Sequence, residues 1–228
     1  MKHVFWILAL AFAWSGCGGG YRRTAAGITY LGWNESEGMF EYLIPGADPA
    51  SFKALDKLYA RDTDRVYFAG HVVTEAEPDS FVLLGGVYGR DRLHVFLKET
   101  VVTGADPTTF QVLDQNLFWG RDATHVFFGP TAEPAVDAAH FRIVRPHWGC
   151  DGRAYYTDIG VGISHRVEAD YASLQILNTH YAKDRREAFY GVEPIPGADV
   201  ATFVVVDDIT ARDARATYVL GRRQAPAP

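Results

Sequence analysis

The residues best equipped for chemistry lie in one short stretch, His147-Trp148-Gly149-Cys150-Asp151, with His140 just upstream. Imidazole and thiol are soft-metal ligands, and a thiol beside a histidine can be a nucleophile. The intervals of six and two residues between His140, His147 and Cys150 fit no standard zinc pattern, and no fourth ligand follows. The three stand as weak candidates against a simpler role for Cys150 as a small buried residue in an irregular turn.

A second set recurs: Arg61-Asp62, Arg90-Asp91, Arg121-Asp122, Lys183-Asp184 and Arg212-Asp213, with Asp151 completing the aspartate row after Cys150. Met once, such a pair suggests ligand binding. Each aspartate, however, is followed five residues later by Phe or Tyr, at Tyr67, Phe96, Phe127, Tyr156, Phe189 and Tyr218. Residues that repeat with a fold are usually its determinants. The expectation is that Asp62, Asp91, Asp122, Asp151, Asp184 and Asp213 cap hairpin turns while the bases offset their charge on a solvated edge. Trp33, Trp119 and Trp148 sit near turns and are candidates for a glycan or protein contact surface, although strand alternation sends most of the repeated aromatics to the core.

The elements that must position these residues follow from the rhythm. The aspartates are spaced by 29, 31, 29, 33 and 29 residues, and a second anchor, Phe52, Phe81, Phe110, Phe141, Leu174 and Phe203, by 29, 29, 31, 33 and 29. Within a unit, Gly46-Ala47-Asp48-Pro49 reads as an N-cap and first position of a one-turn helix. Lys53 to Arg61 reads as extended, Asp62 to Arg65 as a turn, and Val66-Tyr67-Phe68 and His71-Val72-Val73 as strands. The fold class expected is mainly β: six tandem repeats of 29 to 33 residues, each of short hairpin strands plus a one-turn helix, stacked as a solenoid-like array, with a closed propeller-like ring as the alternative.

Gly46-Ala47-Asp48-Pro49-Ala50-Ser51-Phe52, Gly104-Ala105-Asp106-Pro107-Thr108-Thr109-Phe110, Gly197-Ala198-Asp199-Val200-Ala201-Thr202-Phe203 and the aspartate-to-aromatic spacings resemble the DKNYY family of bacterial exported and lipoprotein repeat proteins. The resemblance implies a repeat fold and a cell-envelope setting, and it supplies no catalytic residues. The lysine that the family places after the aspartate is replaced here by Thr63, Arg92, Ala123, Gly152, Arg185 and Ala214.

The N-terminus carries an address. Lys2 and His3 precede an apolar run from Val4 to Trp14, too short for a spanning helix, and Ser15-Gly16-Cys17 resembles a bacterial lipobox with Trp14 where Leu is usual. Residues 1–16 are therefore expected to be a lipoprotein-type signal peptide, with Cys17 lipidated and residues 17–20 a glycine tether. Ordinary secretory cleavage after Ala11-Phe12-Ala13 and an uncleaved anchor are the alternatives. Residues 21–45 are expected to form an N-terminal capping half-unit, 46–222 a single repeat domain and 223–228 a disordered tail.

The chain has 228 residues, 48% apolar and 14% aromatic, enough for a sizeable core. Its 28 acids and 22 bases are scattered, which argues against a nucleic-acid partner. With Cys17 acylated, Cys150 has no cysteine to pair with. No nucleophile elbow, phosphate loop, dinucleotide fingerprint or metalloprotease helix occurs, so neither catalytic residues nor a cofactor are expected. The functional expectation is a non-catalytic, lipid-anchored envelope protein, on the outer membrane facing the periplasm, that meets an envelope protein or glycan. Alternatives are a secreted or periplasmic location, and a hydrolase or metal-dependent enzyme centred on the fourth repeat.

Overall fold

The computed structural model describes residues 19–114, 118–159 and 165–225. The signal segment, Cys17 and the final Pro226-Ala227-Pro228 lie outside them. The first sheet contains β1 (Gly20–Thr24), β2 (Gly27–Asn34) and β3 (Gly38–Leu43), and the second β4 (Lys53–Ala54), β5 (Tyr59–Arg61), β6 (Val66–Phe68) and β7 (His71–Val72). Strands pair antiparallel in chain order within each. Five more four-stranded sheets follow, making seven in tandem, none closed into a barrel.

These findings correct the expected fold. There are seven sheets rather than six units, each has four strands from the second onward, and no helix occurs among the described residues. The segment Lys53 to Arg61 is not one extended stretch, because Asp56 Oδ1 accepts the N–H groups of Leu58 at 2.7 Å and Tyr59 at 2.5 Å and folds it into a hairpin. The expected helical turn fails for a local reason. The Asp48 carboxylate takes the N–H groups of Ala50 and Ser51 as an N-cap does, and Phe52 N–H bonds the Asp48 carbonyl at 3.0 Å, but the chain turns into β4 at Lys53 before a second such bond forms. A helix needs successive bonds of that kind, and one turn is the unfavourable nucleus.

The second sheet shows how a unit is built. Val66-Tyr67-Phe68 is β-branched and aromatic, all three buried, and pairs with Tyr59-Ala60-Arg61. Ala69 and Gly70 both have positive φ, 47° and 84°, as a two-residue primed turn requires. The first sheet was expected to be a half-unit, and Ile44 N–H bonds Ile28 O at 2.8 Å as Val73 N–H bonds Val66 O at 2.8 Å. Its three strands thus correspond to β5, β6 and β7. Gly20, expected in the tether, opens β1, while Arg223, expected in the tail, closes a strand with Arg222.

The core lies between sheets. Tyr59, Phe68 and Val73 of the second sheet pack on Phe81 and Phe96 of the third, and Tyr88, Leu97 and Val102 of the third on Phe110 and Phe127 of the fourth. In the sheets before the last, a central strand also throws an aromatic to its neighbour: the Tyr59 hydroxyl donates to Val87 O at 2.9 Å, Tyr88 to Phe118 O at 2.8 Å and Tyr181 to Ile209 O at 2.8 Å. Trp148 does the same through Nε1 to Thr179 O at 2.7 Å. The residue after each aromatic is Ala60, Gly89, Gly120, Gly149 or Ala182, because a phenylalanine or leucine lies over it; a Cβ on Gly120 would run into the Phe110 ring. In the seventh sheet Thr210, Thr217 and Gln224 occupy the outward slots held elsewhere by aromatics and valine, giving that face a polar surface.

Candidate functional site

The six aspartates hold the units together. Asp62 Oδ1 accepts the N–H groups of Asp64 at 2.9 Å and Arg65 at 2.8 Å, and Oδ2 accepts Asp48 N–H at 3.0 Å and the Tyr67 hydroxyl at 2.6 Å. One carboxylate thus ties its own turn to the connector fourteen residues earlier and to the core aromatic. The pattern repeats at Asp91, Asp122, Asp151, Asp184 and Asp213, with connector bonds from Glu77, Asp106, Asp137, Asp170 and Asp199. A tyrosine hydroxyl joins at Asp151 and Asp213; Phe96, Phe127 and Phe189 have none to give.

Burial tends to raise the Asp62 carboxyl pKa, but the bonds from Tyr67 and the three N–H groups outweigh it and hold the group below its ordinary range. The same balance lowers Asp122, Asp151 and Asp184, and carries Asp213 to about 2. Conversely, burial and then the Asp62 carboxylate push the Tyr67 hydroxyl well above its usual value.

The basic residues before the aspartates behave differently from the expected charge offset on a solvated edge. Neighbours on a strand point to opposite faces. Arg61 donates to Pro78 O, Arg90 to Pro107 O at 3.0 Å, Arg121 to Ala138 O at 3.3 Å and Lys183 to Val200 O at 3.1 Å. Each of these four cations therefore clasps the connector carbonyl of the next unit, while Arg212, in the last sheet, is exposed. Cys150 takes this position in the fifth sheet and is buried, paired in register with Arg142 and Tyr155.

His140, His147 and Cys150 are held by separate partners. His140 Nδ1 lies 2.9 Å from Asp137 Oδ2, in the slot where Ser51, Ser80, Thr109, Ser173 and Thr202 each accept an N–H of the following turn. His147, at φ 66°, places Nδ1 2.7 Å from Asp158 Oδ1. Among the described residues no group of three or more His, Cys, Asp or Glu is arranged to hold a metal. Trp119 and Trp148 are fully buried, whereas Trp33 is 64% exposed.

A pair that the sequence reading missed lies beside this irregular sheet. Glu133 occupies the buried slot of Val73, Val102 and Ile195, as the shared backbone bonds to Val126, Val66, Val95 and Ala188 show. Its Oε2 is 3.1 Å from His165 Nδ1, and the His165 ring stacks on Phe128 at 4.4 Å. His165 and Asp158 both belong to the connection between the third and fourth strands of the fifth sheet, where the other four-stranded sheets turn in two residues. A carboxylate against Nδ1 orients an imidazole. The signal for Glu133 was an acid in register with Val73 and Val102; His165, from an insertion, left none.

Tandem antiparallel sheets, joined by aspartate turns and cations that reach into the next unit, define a β-repeat protein. The chain belongs to the DKNYY family, whose family model matches residues 29–160 and again 59–222. The two overlapping matches reflect its repeats. Searches of the curated proteins and of the solved structures gave no match.

Proposed function

We propose that this is a non-catalytic, exported protein of the cell envelope, anchored through a lipid on Cys17 at the outer membrane facing the periplasm, that presents its repeat surface to an envelope protein or glycan. The observation that carries the reading is the inward use of its repeated chemistry: the aspartates and four of the five cations before them are spent on turns, connectors and neighbouring units. The apolar run ending in Ser15-Gly16-Cys17 supplies the address. Among the described residues no helix is long and apolar enough to cross a membrane, a fact that says nothing of strands.

Mass spectrometry of the N-terminal peptide from a bacterial host is expected to find Cys17 acylated, and crosslinking in intact envelopes to capture a protein or cell-wall polymer. An unmodified Cys17 overturns the anchor. Catalytic turnover lost on mutation of Cys150 or His147 overturns the non-catalytic reading.

A further inference from the structure

Besides having three strands where the others have four, the first sheet differs from them in one hairpin. Where β6 turns to β7 through Ala69 and Gly70, the equivalent residues of the first sheet, from Leu31 to Glu41, extend the β2–β3 hairpin well past the stack. The extension is well formed: Asn34 Oδ1 accepts the N–H groups of Ser36 at 3.1 Å and Glu37 at 2.7 Å, and Phe40 covers Gly32. Trp33 and Met39 are directly paired across it and are 64% and 59% exposed. By strand alternation Leu31, Thr29, Glu41 and Leu43 share their face, Leu43 being 47% exposed and Glu41 accepting the Thr29 hydroxyl at 2.7 Å. Such a patch on a hairpin that no other unit carries calls for an occupant.

The chain itself indicates which. Gly20 pairs with Leu31 and the strands are antiparallel, so going backward from Gly20 the chain heads toward the Trp33–Met39 end. Gly19 lies so close to Leu31 O that a Cβ there would clash. Cys17 is two residues from Gly19, a reach of at most about 7 Å. A lipid on Cys17, or an uncleaved apolar leader, therefore enters the bilayer beside this face. We infer that the Trp33–Met39 face of the first hairpin rests in the lipid headgroup region and sets the orientation of the repeat stack on the membrane. Tryptophan suits that boundary, with an apolar ring and a polar N–H. Arg22, in register with Thr29 on the same face, faces lipid phosphates, while Glu35 and Glu37 at the tip keep it in water and the hairpin flat.

The inference rests on the anchor reading, and its test separates the two. The full chain, purified from host membranes, is reconstituted into phosphatidylethanolamine–phosphatidylglycerol vesicles with and without brominated acyl chains, and the Trp33→Phe variant is treated identically. Trp119 and Trp148 are buried, so the difference between the two proteins reports Trp33. The expected result is quenching of that difference signal by brominated lipid and a shift of emission to shorter wavelength. A Trp33 signal that stays open to acrylamide in vesicles, with no bromine quenching, overturns the inference even where Cys17 is acylated. Protection that follows protein concentration rather than lipid also overturns it, in favour of a second copy. Bromine quenching in a chain whose Cys17 proves unmodified leaves the face standing and removes only the lipid anchor.

Discussion

Replacing Asp122 by asparagine tests whether the repeated carboxylates are joints. Oδ1 accepts the N–H groups of Thr124 at 2.8 Å and His125 at 2.7 Å, while Oδ2 accepts Asp106 N–H at 3.1 Å. Asparagine keeps one oxygen. With that oxygen on the turn side, its NH2 group faces Asp106 N–H, donor against donor, and the turn bonds lose their charge assistance. An unsatisfied buried donor costs about 1–3 kcal/mol, so Asp122→Asn should destabilise by roughly 3 kcal/mol. Asp62→Asn should cost at least as much, because the buried Tyr67 hydroxyl, whose proton the carboxylate accepts, either meets the new NH2 donor to donor or turns that proton away from its acceptor. Urea titrations of the full chain measure both, with amide exchange at Thr124 and His125 locating the loss. A cost at Asp62 clearly below that at Asp122 would refute the donor accounting.

Acid should weaken the protein through the same groups. Their folded-state pKa values are lowered, so the stability they contribute is complete above the unfolded carboxyl value near 4 and is lost as pH falls toward about 2, where Asp213 titrates; thermal melts from pH 6 downward that show no drop across this window contradict the assignment. Gly120→Ala forces the Phe110 ring to slide and should cost about 1–3 kcal/mol by calorimetry. Gly152→Ala meets open space at φ 88° and should cost only the left-handed backbone term of about 1–2 kcal/mol. Glu133→Val restores the side chain of Val73 and Val102 at a buried slot but takes away the acceptor of the His165 backbone N–H and the partner of its Nδ1, so stability should fall by about 1–3 kcal/mol and the urea midpoint with it. Cys150 should be silent to maleimide in the folded chain and react on unfolding, read by mass.

The sequence by itself determined the rhythm, the aspartate-to-aromatic spacing and the turn chemistry, because these are local: an aspartate caps the N–H groups two and three residues on whatever lies beyond. It also marked most aromatics as core. The one-turn helix went wrong at the same scale, since Asp48 caps the turn but the chain enters β4 after the single bond from Phe52. Only the tertiary structure decided where long side chains reach. Arg61 and Asp62 are adjacent in the chain yet bond different units, because alternation sends one forward and the other inward. His147 and Cys150, close in sequence, part company, while Glu133 and His165, thirty-two residues apart, meet. The first hairpin read as a capping fragment; its exposed Trp33 and Met39 became a face only when the register placed them opposite each other. Spacing along a chain reports what is near in sequence, and function at a surface depends on what the sheets bring together.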